Sequence, residues 1–123
     1  MGKKSQILIV DDEILFSKLL KLHLEENPEY EIYLANNGKT AIEFVKQNKP
    51  DLVLLDIIMP DMNGLECLRQ IKALSPNLPV TMITAVYDEE TGRRAFHAGA
   101  YDYITKPVDA EYLKMALQVK LCQ

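Results

Sequence analysis

The side chains in this chain whose types and positions could do chemistry are Asp11, Asp12, Asp56, Thr84 and Lys106. Asp56 ends the apolar run DLVLL at residues 51–55, and Met59-Pro60, Asp61, Asn63 and Gly64 then break regular structure. A short continuous apolar run reads as a buried parallel strand, and open α/β sheets bind ligands just beyond the C-terminal ends of such strands. Asp11 and Asp12 follow a second run, ILIV at 7–10, while Thr84 ends PVTMIT at 79–84 and Lys106 follows YDYIT at 101–105. Taken singly, each has an ordinary structural role as a helix cap, a loop carboxylate, a hydroxyl on a neighbouring carbonyl or a solvated lysine.

Brought to one sheet edge, they constrain each other through charge. Carboxylates a few ångströms apart repel by several kcal/mol at an effective dielectric of about 20, so one is protonated or a cation lies among them. An all-oxygen donor set suits Mg²⁺ better than zinc. With that charge neutralised, Asp56 is expected to attack phosphorus and form an acyl phosphate. Thr84 and Lys106 are then placed to donate to the phosphoryl oxygens.

The elements that would position these groups follow from periodicity. Strands are expected at 7–10, 30–35, 51–55, 79–84 and 101–105. Between them lie amphipathic helices: one from Glu13 closed by Pro28, one from Lys39 to about Asn48, and one from Gly64 closed by Ser75-Pro76-Asn77. A fourth runs from an Asp88 cap to Ala98 with Gly99 as its stop, and a fifth starts at an Asp109 cap. Along the first helix Ile14, Leu15, Leu19, Leu20, Leu22 and Leu24 fall at helical spacing; along the second strand Tyr30, Ile32 and Leu34 alternate with Glu31, Tyr33 and Ala35. Strands alternating with helices imply an α/β fold, a single doubly wound (βα)5 domain whose five-stranded parallel sheet has the flavodoxin-like order 2-1-3-4-5. No linker or repeat interrupts the pattern, so residues 1–123 are expected to form one domain with no effector domain.

Composition narrows the function classes. With 14 Lys+Arg against 18 Asp+Glu the formal net charge is −4, which argues against direct binding of nucleic acid or an anionic membrane. No apolar run approaches the roughly 18 residues of a spanning helix, and the N-terminal apolar block is too short for a signal peptide. Cys67 and Cys122 lack metal-ligand spacing and are expected to be reduced thiols in a cytoplasmic protein. His23 and His97 fall inside amphipathic segments as partly exposed helix residues rather than ligands.

The stretches ILIVDDE, LVLLDIIMPDMNGLE, the Thr84-Ala85 pair and GAYDYITKP resemble, in order and spacing, the motifs of the receiver (CheY-like) domain of two-component response regulators, over essentially the whole chain. The resemblance implies that Asp56 is the phosphoacceptor, supplied by a histidine kinase or histidine phosphotransfer protein. It implies that Asp12 and Asp56 bind Mg²⁺ directly with the Ile58 backbone carbonyl, and that Asp11 acts mainly through a bound water. Lys106 and Thr84 would contact the phosphoryl oxygens, the Lys106-Pro107 peptide would be cis, and Tyr103 would be the switch aromatic that turns inward as the Thr84 hydroxyl moves toward phosphate. The readout surface would be the fourth helix, fifth strand and fifth helix, with Arg93, Arg94, His97, Tyr112 and Lys114 as candidate contacts for a downstream effector the sequence does not name.

Such a protein is a switch that catalyses its own phosphorylation and slow dephosphorylation, not a conventional enzyme. Ile58 and Val86, bulky and apolar two residues beyond Asp56 and Thr84, could hinder the attacking water, so slow loss of phosphate is expected. The last helix lacks a run of arginines, which favours a monomer or weak dimer. Rival readings are weaker. An aspartyl-nucleophile phosphatase would want an acid where Ile58 stands, and a flavodoxin would find its phosphate repelled by Asp11-Asp12-Glu13. A degenerate receiver used only for docking is the remaining alternative.

Overall fold

The structure is a computed structural model that describes residues 3–122. Strands β1 (Ser5–Val10), β2 (Tyr30–Ala35), β3 (Leu52–Leu55), β4 (Val80–Thr84) and β5 (Asp102–Thr105) alternate with helices α1 (Ile14–Leu24), α2 (Gly38–Asn48), α3 (Gly64–Leu74), α4 (Glu89–His97) and α5 (Ala110–Leu121). All strand pairs are parallel, in the order β2-β1-β3-β4-β5. This is the expected doubly wound arrangement, with element ends within a residue or two of those read from the sequence, except that α1 already stops at Leu24, ahead of the Pro28 expected to close it.

Side-chain alternation divides the core into two layers. Leu8, Val10, Val53, Leu55, Val80 and Met82 pack with Ala41, Val45, Leu68 and Ile71 from α2 and α3. Ile7, Ile9, Leu52, Leu54 and Ile83 pack with Leu20, Leu24, Leu113 and Leu117 from α1 and α5. β3 is buried on both faces, which is why its sequence is uniformly apolar.

Polar side chains set where the helices begin. Asn37, Asn63, Asp88 and Asp109 each accept a backbone N–H from the first turn of α2, α3, α4 and α5. Glu13 stands at the cap position of α1 but makes no such bond. Gly99, just beyond α4, has φ 106°, a left-handed conformation that favours glycine.

Two apolar patterns are covered differently than periodicity suggests. On α1, Leu20 and Leu24 are buried, but Ile14, Leu15, Leu19 and Leu22 are at least half exposed, because the helix is apolar around most of its circumference and only one face meets the sheet. On β2, Tyr30 and Ile32 point inward as expected, whereas Leu34 is 39% exposed and Ala35 is buried. The alternation itself holds. Leu34 reaches the rim of the sheet, where it and Ile14 border an open cleft, while Ala35 faces the layer covered by α2.

Gly64 permits the closest backbone approach among the described glycines. A Cβ there would lie 2.1 Å from the Asp56 carbonyl oxygen and 2.4 Å from the Ile57 Cα, both backbone atoms that cannot swing aside. Gly92, inside α4, has open space around it. Gly64→Ala should destabilise the domain by about 1–3 kcal/mol, whereas Gly92→Ala should stabilise it by about 0.5–1 kcal/mol. Urea denaturation of both variants checks this opposite pair of signs.

Candidate functional site

The strand register creates the site. Val10 pairs with Leu55 and Thr84 pairs with Thr105, so the residues that follow β1, β3 and β5 emerge side by side on one edge. The ladder continues one step past the strands: Asp56 N–H donates to the Val10 carbonyl at 3.0 Å, and Lys106 N–H donates to the Thr84 carbonyl at 2.8 Å. Asp11 N–H donates to the Ala35 carbonyl at 3.1 Å. The main chain therefore holds Asp11, Asp56 and Lys106 in place before their side chains interact.

Asp11 and Asp56 are 3% and 5% exposed, and Thr84 is wholly buried, so this is an interior polar site and not a solvated acidic surface. Asp12 is exposed at the mouth. One carboxylate oxygen from each of Asp11, Asp12 and Asp56 lies within 4.8 Å of the others, close enough for a single cation to touch all three. The Lys106 ammonium reaches into the same space, 2.8 Å from Asp11 Oδ2, 3.2 Å from Asp56 Oδ2 and 2.6 Å from Glu13 Oε1. Its ammonium lies over the Phe16 ring, with Nζ 4.2 Å from the ring centroid.

The charges explain the titration behaviour. Burial raises the Asp11 carboxyl above its usual range and nearby Asp56 adds to this, despite hydrogen bonds from Lys106 and the Glu13 N–H. Burial of Lys106 acts to lower its pKa, but bonds to Asp11 and Glu13 and the field of Asp11 and Asp56 outweigh it and hold the ammonium charged well above the ordinary lysine value. A single ammonium facing Asp11, Asp12, Glu13 and Asp56 leaves excess negative charge. That surplus, with hard oxygen donors around it, fits a divalent cation such as Mg²⁺.

The remaining residues lie where the sequence reading put them, with some new partners. Thr84 Oγ1 accepts a hydrogen bond from Val86 N–H at 3.3 Å. Tyr103 is half-buried against the core and donates its hydroxyl to the Val86 carbonyl. The main chain of Val86 thus connects the two side chains. Asp56 Oδ1 accepts from Ile58 N–H at 3.3 Å, while Ile58 itself is 59% exposed. The Lys106-Pro107 peptide is cis, as expected. Cys67 is buried, which pushes its thiol up to about 12 and leaves it unreactive, and Cys122 is exposed; both are free. His23 and His97 lie exposed on α1 and α4, and no helix among the described residues is long and apolar enough to cross a membrane.

Glu13, Phe16 and Asp61 were not singled out as site residues from the sequence. Glu13 and Phe16 meet Lys106 across a separation of some ninety residues, which no local pattern reveals. For Glu13, its place two residues beyond Asp11, just past the end of β1, is the one signal that could have suggested it.

A doubly wound five-stranded sheet with buried carboxylates and a lysine at its C-terminal edge defines a class of phosphoryl-accepting α/β domain, and comparison with known proteins agrees. The family model for the response regulator receiver domain matches residues 7–118. The chain is 41% identical over 115 residues to the transcriptional regulatory protein ZraR of Escherichia coli K12, covering 94% of this chain and 26% of ZraR. It is 33% identical to the probable transcriptional regulatory protein TcrX of Mycobacterium tuberculosis, covering 98% of this chain and 51% of TcrX. The chain therefore spans about a quarter to a half of these relatives. A CheY-like receiver domain protein from Methanospirillum hungatei JF-1 superposes with a TM-score of 0.92 at 32% identity, covering 98% of this chain and 95% of that one. A two-component response regulator from Clostridium difficile gives 0.93 at 30% identity, with 98% of each chain covered.

This chain belongs to the response-regulator receiver family, the phosphotransfer-controlled signalling module of two-component systems.

The raised Asp11 pKa gives a prediction with a definite sign. Because Asp11 holds its proton more tightly folded than unfolded, ionising it costs stability; the cost begins near pH 3.8 and is complete above the folded-state value. In Mg²⁺-free buffer at pH 7, Asp11→Asn should therefore be more stable than wild type by about 1 kcal/mol, or about 3–5 °C in Tm. The difference should vanish as pH falls toward 3.8. Thermal melts across pH check this, and a lower Tm at pH 7 would mean that the lost pairing with Lys106 outweighs the relief of repulsion.

Proposed function

We propose that Asp56 is the phosphoacceptor of this receiver and that Mg²⁺ is held by Asp12, Asp56 and the Ile58 main-chain carbonyl, with Asp11 acting mainly through a bound water. The observation that carries the reading is a buried Asp56 at a strand end, sharing Lys106 with Asp11 while Asp12 stands within reach of the same cation. A bound Mg²⁺ supplies charge neutralisation, allowing an anionic nucleophile and an anionic phosphoryl donor to approach. An Asp56 oxygen forms the new O–P bond as the P–N bond of a phosphohistidine breaks, and the departing imidazole keeps the electron pair and takes a proton from solvent.

Lys106 is already in the site and charged, so it can turn from Asp11, Glu13 and Asp56 onto a phosphoryl oxygen. Thr84 can exchange its bond from the Val86 N–H for one to the phosphoryl group. Tyr103, bonded to the carbonyl of that same Val86, would sense the change and carry it to the surface formed by α4, β5 and α5. Arg93, Arg94, His97 and Tyr112 are exposed there and Lys114 is partly so, the chemistry of a protein-binding surface for a downstream effector. A histidine kinase or phosphotransfer protein is the expected donor, and the exposed apolar side of α1 beside the site suits its docking. A cytoplasmic location, a single receiver unit and a monomer or weak dimer complete the reading.

Incubation with a small acyl-phosphate donor and Mg²⁺ should add one phosphoryl group, about 80 Da by intact mass. The adduct should need Mg²⁺ and disappear in Asp56→Asn. An adduct that persists in that variant would move the acceptor elsewhere, and none in wild type with Mg²⁺ binding intact would favour the docking-only receiver.

Ile58, two residues beyond Asp56, carries an exposed apolar side chain, and in this reading it hinders the attacking water, so phosphate loss should be slow. Ile58→Asn replaces this apolar side chain with a group that can orient water and should shorten the phosphoprotein half-life severalfold. An unchanged half-life in a pulse–chase would remove Ile58 from this role.

A further inference from the structure

The loop at residues 57–63 joins β3 to α3 and carries Ile58, yet its polar tie to another element is made at its far side, by Asp61. Asp61 Oδ1 accepts the Gly38 N–H at 3.0 Å and Asp61 Oδ2 accepts the Lys39 N–H at 3.0 Å. These are the first two amides of α2, which have no partner within their own helix. The next amide, that of Thr40, is already taken by the helix's own cap Asn37 at 2.9 Å, and the Ala41 amide by the Asn37 carbonyl. Asp61 thus completes the capping of a helix more than twenty residues away in sequence. Both of its oxygens are used, in charge-assisted bonds reinforced by the positive end of the helix dipole.

A packing contact reinforces the tie. The Met62 side chain fills the space beside Gly38, where a Cβ would come within 2.6 Å of Met62 Cγ and 2.9 Å of its sulfur. Those backbone bonds hold the Asp61 carboxyl below its ordinary range, so the clamp remains anionic at neutral pH. The loop's other hydrogen bonds lie near its ends, from Ile58 N–H to Asp56 Oδ1, from Gly64 N–H to the Ile57 carbonyl and from Leu65 N–H to the Asn63 cap of α3, while Ile57 and Met59 are buried in the core layer.

We propose that Asp61 is a positioning residue for the cation site: by clamping the 57–63 loop onto the N-terminus of α2, it fixes the Ile58 main chain relative to Asp11 and Asp12. The proposal rests on the reading of Asp56, Asp12 and the Ile58 carbonyl as the cation site. Asp61 touches neither the cation nor the phosphoryl group. It acts on affinity by removing the freedom the loop would otherwise lose when the cation binds, so its loss should weaken cation binding while sparing the chemical step at saturation.

The test compares Asp61→Ala and Asp61→Asn with Asn37→Ala, which removes a cap from the same helix but leaves the clamp in place. Titration with Mg²⁺ alone, by calorimetry, should give a Kd raised about three- to tenfold in Asp61→Ala, below the loss typical of residues that contact a metal's ligands directly. Asp61→Asn keeps an oxygen for one amide and should recover part of that loss. Asn37→Ala should lower Tm yet leave the Kd within about twofold of wild type. The Mg²⁺ concentration for half-maximal phosphorylation should shift with the Kd, while the maximal rate stays within about twofold.

Amide hydrogen exchange at Ile58 and Gly64 reads the clamp without metal or donor, and it should quicken in both Asp61 variants but not in Asn37→Ala. An unchanged Kd and unchanged exchange in Asp61→Ala would overturn the proposal, as would an equal shift in Asn37→Ala. A wild-type protein that binds Mg²⁺ but accepts no phosphoryl group would overturn the phosphoacceptor reading, and the titration and exchange would still decide the role of Asp61.

Discussion

The structure depends on two buried carboxylates, Asp11 and Asp56, kept close together although they repel. Burial and the neighbouring Asp56 both act against the charged form of Asp11. Lys106 compensates in part by bonding to both carboxylates and to Glu13 at the rim. The parallel sheet makes this possible. Its main-chain bonds, from Asp56 to Val10 and from Lys106 to Thr84, are formed by elements whose own burial stabilises them, so the charged cluster is carried by apolar layers on both faces. A site under this electrostatic load lowers stability locally, and the close-packed core is what lets the fold tolerate it.

The same logic shows why so much of the fold and site was legible in the sequence. In a parallel sheet every strand ends on the same edge, so an abrupt change from apolar to acidic or cationic residues marks both a strand end and a place in the site. ILIV followed by Asp11-Asp12, LVLL followed by Asp56 and YDYIT followed by Lys106 each carry both messages. What could not be read depends on contacts between distant segments. Asp61 has the composition of an ordinary turn residue, and only the folded chain shows its carboxylate on the first amides of α2. Glu13 occupies a cap position without acting as a cap, since its side chain turns to Lys106 instead. The leucines of α1 illustrate a different limit. Helical spacing tells which residues share a face but not how much of a mostly apolar helix its neighbours cover, and here Leu15 and Leu22 remain 72% and 64% exposed.

Val86 deserves the same reading on the other side of the site. Its bulky side chain is expected to act as a shield, but its main chain is the structurally informative part, because the N–H donates to Thr84 and the carbonyl accepts from Tyr103. Two side chains bonded to one residue's peptide groups cannot move independently. If Thr84 leaves the Val86 N–H for a phosphoryl oxygen, the 84–86 backbone loses one of its restraints, and the position of the carbonyl that holds Tyr103 becomes negotiable.

Two loops then carry the behaviour of the site, and they are built differently. The 57–63 segment is held from outside, by Asp61 on α2 and by the close approach of Gly64 to the Asp56 backbone, so Asp56 and the Ile58 main chain are kept in one arrangement. The segment after β4 is held by a hydroxyl at one end and an aromatic hydroxyl at the other, both exchangeable partners. A receiver needs both properties at once. The cation and phosphoryl group require preorganised ligands, since each ordering step is subtracted from binding, while signalling requires an element with two arrangements whose balance a single new group can shift. Placing rigidity beside β3 and adjustability beside β4 lets neighbouring strands of one sheet meet those opposed demands.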